Sequence, residues 1–154
     1  MCLKSSTSIP IVADRDITVY KILGKFYHSP YMKYQKTDEY SYGQVRYDYE
    51  PGMNYARGPE DISMISDVNE GLSFKYIIGG GFLHSYSSKT NAIRECDSMH
   101  FATNNPYYVY EMKIPKGTKY FISILGNEYC SKALLFENTK EIYKIEPVKE
   151  LVVL

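Results

Sequence analysis

The residues most able to do chemistry lie in a few short stretches. Residues 79–88 read Gly-Gly-Gly-Phe-Leu-His-Ser-Tyr-Ser-Ser, a glycine run followed by His84, the hydroxyls of Ser85, Tyr86 and Ser87, and a serine able to cap a helix. Backbone N–H groups at a helix start can hold a phosphate or carboxylate. The spacing matches neither the phosphate-binding G-x-x-x-x-G-K-[ST] loop nor the dinucleotide G-x-G-x-x-G fingerprint, and a glycine turn with ordinary helix capping accounts for the same residues. A second stretch, Ile17-Thr18-Val19-Tyr20-Lys21-Ile22-Leu23, puts Lys21 on the face otherwise formed by Ile17, Val19 and Leu23. A cation there needs an acidic partner, a ligand anion or a route to water. A third is the N-terminus, where removal of Met1 would leave the Cys2 thiol beside a free amine, a nucleophile with its own base. The preferred reading is a terminal cysteine without a role.

Tyrosine supplies most of the remaining polar-aromatic chemistry. The chain has 17 Tyr and no Trp, concentrated at Tyr31, Tyr34, Tyr40, Tyr42, Tyr47, Tyr49 and Tyr55 and again at Tyr107, Tyr108 and Tyr110. Such rings suit stacking on a base or sugar, suit protein interfaces, and also suit half-exposed strand faces with no further role. His28, His84 and His100 lack metal-ligand spacing, so no metal is expected. Cys2, Cys96 and Cys130 are odd in number and form no C-x-x-C pair, which argues against a disulfide framework and for a reducing, cytoplasmic location. Met1 to Ile9 has no apolar core of an export signal, and no apolar run approaches membrane-spanning length.

The elements that must position these groups read as strands. With 154 residues, 44% hydrophobic and 23% charged, the chain fits one globular domain over 1–154. The 18 basic and 18 acidic residues cancel, so neither nucleic acid nor an anionic membrane is expected as the main partner. Period-two alternation and β-branched or aromatic content predict strands at Ile17–Leu23, 44–49, 72–78, 82–86 and Tyr107–Ile114. They predict a further strand at 119–125, which Pro115-Lys116-Gly117-Thr118 would join to 107–114 as a hairpin. Extended segments are expected at 128–136, 141–146 and 149–154. Ser87 or Ser88 should cap a short helix over 89–96, with Ala92, Ile93 and Cys96 on one side. Gly58-Pro59-Glu60-Asp61 could open a helical turn, and 26–42 reads as a surface excursion. The fold class is therefore mostly β: a compact antiparallel sheet, or a partly open barrel or sandwich, with one or two short helices.

Several blocks taken together, Met1-Cys2-Leu3, ADRDITVYKIL over 13–23, Ser29-Pro30-Tyr31, GFLHSYS over 81–87, IPKGTKY over 114–120 and Glu128-Tyr129-Cys130-Ser131, resemble a group of small proteins of phages and gut bacteria. That resemblance implies a mobile-element accessory protein and brings no known activity. More distantly, Tyr20-Lys21, Ser85-Tyr86-Ser87 and Glu128 are similar to the three-part motif of ADP-ribosyltransferases, which hold NAD with an Arg or His, a Ser-Thr-Ser strand and a Glu. Lys21 then stands for the Arg, Tyr86 for the Thr, and Glu128 or Glu111 for the catalytic acid.

The expected function is a small-ligand binding module with an aromatic, hydroxyl-lined pocket formed by Tyr20, Lys21, His84, Ser85, Tyr86 and Ser87. Its ligand would be a small polar molecule such as a nucleotide, and the pocket could lie within one chain or between protomers of a homo-oligomer. No cofactor is expected on that reading. The alternatives are an ADP-ribosyltransferase-like enzyme that uses NAD and a module that binds a host protein.

Overall fold

A computed structural model describes residues 3–30, 33–38, 40–66 and 74–147. The early strands are Leu3–Ser5 (β1), Ile11–Val12 (β2), Ile17–Leu23 (β3), Lys33–Lys36 (β4), Tyr42–Val45 (β5), Gly52–Tyr55 (β6) and Ile62–Ser66 (β7). Phe74–Ile78 (β8) and Leu83–Tyr86 (β9) precede the helix Lys89–Thr103 (α1). Tyr107–Ile114 (β10), Lys119–Ile122 (β11), Glu128–Ser131 (β12), Ala133–Phe136 (β13) and Tyr143–Ile145 (β14) complete the order. The fold is mostly β, its sheets antiparallel and not closed into a barrel.

The main sheet runs β2-β11-β12-β9-β3-β10-β13-β6, with β14 also on β10. A smaller sheet, β1-β8-β7, packs Leu3 and Ile78 against Phe82, just ahead of β9, and against Phe121 and Cys130 of the main sheet. β10 is central because both its faces are apolar: Tyr110, Met112 and Ile114 are buried in one core, while Tyr107 and Val109 are buried beneath α1. It pairs with β3 over seven residues, from Tyr108↔Leu23 to Ile114↔Ile17. Its other edge is taken by β14 at Tyr107–Val109 and by β13 at Lys113.

This arrangement overturns the expected hairpin. β10 and β11 have the expected places in sequence but do not pair, since both edges of β10 are occupied. The connecting loop is drawn toward the start of β3 instead: Gly117 N–H donates to Ala13 O, Ala13 N–H to Thr118 O, and Lys116 N–H to Asp16 Oδ1. β11 therefore lies beyond β3, β9 and β12, between β12 and β2. Ile124, within the strand expected over 119–125, lies beyond the end of β11 and is 48% exposed.

The helix also differs from its expected bounds. Ser88 caps it, its Oγ accepting from Asn91 N–H at 3.1 Å. It continues past Cys96 to Thr103, because Met99 and His100 extend the buried stripe of Ala92 and Cys96, and stops at the left-handed Asn104 (φ 55°) ahead of Pro106. Phe101, 93% exposed, is what obscures this pattern in sequence. The stretch 58–61 forms no helical turn; it bends at Gly58, which has a positive φ, and is irregular up to the start of β7. Within 26–42, Phe26 and Tyr27 both adopt positive φ, which turns Phe26 out to solvent while the Tyr27 ring packs edge-on against Tyr110 and Phe136. The expected segment 149–154 lies outside the described residues, as does the start of the strand expected over 72–78.

The triple glycine makes a close backbone approach to residues 59–61. Gly79 N–H donates to Asp61 O, and Asp61 N–H to Gly80 O. At Gly81, with φ +82°, an added Cβ would lie 2.8 Å from both Glu60 Cα and Pro59 O. Gly81→Ala should therefore cost at least about 2 kcal/mol in urea denaturation, combining left-handed strain with backbone collision. Gly117→Ala, with φ +88° but no atom within 4 Å of the new Cβ, should cost only about 1 kcal/mol. Equal losses would show that close packing at Gly81 adds nothing to the backbone strain.

Candidate functional site

The main sheet is joined across its middle by one register pair, Tyr20↔Tyr86, between β3 and β9. An unbroken ladder would next pair Lys21 with Ser85 and Ile22 with His84, but no such pairs form. A cavity of about 50 Å³ lies at this parting, with Lys21, Ile22, Leu83, His84 and Tyr86 in its wall. Ser29, Pro30, Tyr47, Tyr49, Phe82 and Met99 complete the described lining. The Lys21 ammonium donates a hydrogen bond to the His84 carbonyl, the bond that a strand N–H would otherwise supply. It also stands 5.3 Å from the centroid of the Tyr49 ring, within cation–π range.

His84 connects this inner cavity to a second chamber. Its Nε2 lies 2.8 Å from Glu128 Oε1, across the β9–β12 pairing, and its ring meets Tyr86 edge-on at 4.9 Å. Glu128 lines an outer cleft of about 310 Å³ with Tyr86, Asn91, Arg94, Glu95 and Asn127. Tyr86 is thus a wall of both chambers. The outer rim is held by local chemistry: Ser123 Oγ accepts from the N–H groups of Asn127 and Glu128, and Ser87 is tied to the same turn through Asn127 O and Gly126 O.

The electrostatics separate the two chambers. Burial pushes His84 down to about 4, outweighing the opposing effect of its Glu128 hydrogen bond, and Lys21 adds to the depression. The His84 hydrogen bond holds the Glu128 carboxyl below its ordinary range. At neutral pH His84 is therefore a neutral ring donating Nε2–H to an ionised carboxylate. That leaves Nδ1 as the acceptor nitrogen. Burial raises the Tyr49 phenol, so it stays protonated.

The structure brings Lys21, His84, Tyr86 and Glu128 together and leaves the other candidates off the cavity walls. Tyr20 packs with the helix-side core. Ser85 is fully buried, its Oγ without a hydrogen-bond partner among the described residues. Ser87 braces the 123–128 turn. Glu111 pairs with Tyr20 on β10 and lines neither chamber. Cys96 is buried, its thiol pushed up to about 12, and Cys130 is buried as well, which suits neither to nucleophilic work. Cys2 and Tyr31 lie outside the described residues.

Sequence reasoning missed Ser29, Asn91, Arg94 and Asn127 as wall residues. Their only signal is proximity, which no spacing encodes. Among the described residues no group of three or more His, Cys, Asp and Glu could hold a metal ion, and no helix is long and apolar enough to cross a membrane. Comparison with protein-family profiles, curated proteins and solved structures finds no match for the chain.

The His84–Glu128 pair carries a pH signature. A histidine whose folded pKa lies below its unfolded value binds its proton more readily in the unfolded chain, so stability falls as pH drops from about 6.5 toward 4. Glu128, depressed in the fold, adds a further loss as pH falls below the ordinary carboxylate range. Urea denaturation should show up to about 3 kcal/mol of the His84 contribution across that window. His84→Gln should flatten the pH dependence between 6.5 and 4; an unchanged slope would place its origin elsewhere.

Proposed function

We propose that this chain is a small-ligand binding protein whose site is the pair of chambers walled by Lys21, His84, Tyr86 and Glu128. The observation carrying this reading is the convergence of β3, β9 and β12 on a parting of the main sheet. There a buried cation, a neutral imidazole and an ionised carboxylate stand in sequence beside open volume. A ladder completed between β3 and β9 would fill that space at no cost in backbone hydrogen bonds, and a buried lysine is a poor choice for stability alone.

The dimensions constrain the ligand. On a measure where a single water needs ~10–15 Å³, the inner cavity of about 50 Å³ admits a group of only a few heavy atoms. The outer cleft, about 310 Å³, reaches the lower end of the ~300–1,000 Å³ range typical of ligand sites and has the polar lining to take the body of a nucleotide-sized molecule. A ligand seated in both chambers would offer a small polar end to Lys21 and His84 and a larger polar body to Arg94, Asn91 and Asn127.

A second reading, an NAD-using enzyme related to ADP-ribosyltransferases, is favoured by one observation. The segments that resemble that family's motif occupy three adjacent strands, β3, β9 and β12. On this reading Glu128, in the cleft, is the acid in preference to Glu111.

A thermal-shift screen of nucleotides and small polar metabolites should find compounds that raise the melting temperature with dose, by mass action on the folded state. His84→Gln and Glu128→Gln should weaken that response. A flat screen across all classes would remove the binding reading and leave a protein-interaction module. On the binding reading NAD stays intact at high protein concentration. Nicotinamide release that is lost in Glu128→Ala and kept in Glu111→Ala would establish the enzyme instead.

A further inference from the structure

Near its start the chain crosses much of the main sheet in one short connection. β2 lies at the sheet's edge and β3 four places inward, yet only residues 13–16 join them. Four strand spacings are about 19 Å across a flat sheet, and the five steps from Val12 to Ile17 reach about 18 Å at most. The connection is therefore drawn nearly straight, and the sheet must curl toward it. Ala13 is buried and bonded through both its backbone groups to the 117–118 turn, whereas Asp14, Arg15 and Asp16 are exposed. A cleft of about 400 Å³ lies between these three residues and β11 and β12, walled also by Thr18, Tyr120 and Tyr129.

The two rings meet edge to face, their centroids 5.7 Å apart and their planes at 69°, so they form a corner and not a parallel slot. Both are half-buried, and burial raises the Tyr129 phenol, which stays protonated. Among the described residues neither hydroxyl has a hydrogen-bond partner, nor do the side chains of Asp14 and Arg15. Asp16 uses one oxygen, Oδ1, on Lys116 N–H. The lining is thus chemically mixed: carboxylates accept, the guanidinium donates in a fork, and the hydroxyls do both. A charged ligand of either sign would face a like charge here, and a flat base could stack on only one ring of the corner. A neutral, puckered ring bearing hydroxyl groups meets neither restriction, since its C–H face suits tyrosine rings and its hydroxyls use donors and acceptors together.

We propose that this cleft is a carbohydrate site that takes one pyranose ring, its C–H face in the Tyr120–Tyr129 corner and its hydroxyl groups on Asp14, Arg15 and Thr18. Its volume falls within the ~300–1,000 Å³ typical of small-ligand sites. It shares no described lining residue with the two chambers around His84, so it stands independently of the binding function proposed for them.

The experiment titrates the full chain with glucose, galactose and mannose, and with cyclohexanol, choline, acetate and adenosine as controls, following the NMR ring signals of Tyr120, Tyr129 and His84. Melting temperature is unsuitable as the readout, because sugars at high concentration stabilise folded proteins in general by exclusion from their surface. At least one sugar should move both tyrosine signals to saturation and leave His84 unmoved, and the controls should leave all three unmoved. Asp14→Ala, at an exposed position outside every described strand, should weaken the apparent affinity for that sugar about ten- to hundredfold, as expected for loss of a charge-assisted hydrogen bond. No saturable movement with any of the three sugars would overturn the proposal, a result that depends on no variant. So would a sugar response unchanged in Asp14→Ala, or a control that moves the tyrosine signals as strongly as the sugars do. Movement at His84 in place of the tyrosines would assign the sugar to the chambers, removing this site and leaving the binding function in place.

Discussion

The structure depends on a joint one residue pair wide. Two groups of strands, β2-β11-β12-β9 and β3-β10-β13-β6, are sewn into one sheet by Tyr20↔Tyr86. Immediately past that pair the strands part, and a lysine ammonium takes over a carbonyl that the ladder would have satisfied. Buried backbone acceptors must be paired, so the parting is stable only with a donor long enough to span it. Lys21 meets that need with its stem along the sheet and its head at the His84 carbonyl. A hydrogen-bond requirement of the fold and the charge of the cavity thus reside in the same atom.

The imidazole of His84 then divides the charges. Its backbone carbonyl receives Lys21, its Nε2–H serves Glu128, and its ring forms part of the wall next to Tyr86. Burial keeps the ring neutral. Lys21 therefore lines the inner cavity and Glu128 the outer cleft, with His84 in contact with both. The glycine run sets the entry to β9: residues 79–81 lie against the backbone of 59–61, and Lys132 fastens Gly81 O and Glu60 from the opposite side.

Much of the secondary structure was legible. Ile17–Leu23 and Tyr107–Ile114 carry period-two patterns strong enough to define both strands residue for residue, and Ser88 announces the helix start. The errors came from features a local pattern does not contain. An exposed Phe101 hid the last two turns of α1. The segment 115–118 has hairpin chemistry, yet its strands separate because β3 takes one edge of β10 over seven residues, β14 and β13 take the other, and Ala13 and Asp16 offer the loop its hydrogen bonds. The tyrosine-rich stretch 26–71 gave little, since Tyr47 and Tyr49 are buried by contact with distant strands and not by a face of their own.

The sequence by itself determined the β-rich class, the principal strands and the oddity of a lysine on an apolar face. Those depend on side-chain alternation, turn residues and polarity, all of which are local. Only the tertiary structure decided that Lys21 meets the carbonyl of His84, that Glu128 and not Glu111 reaches the same imidazole, and that two chambers open where the ladder ends. Such facts depend on strand order and on where pairing stops, and these are set by competition among all the strands for edges.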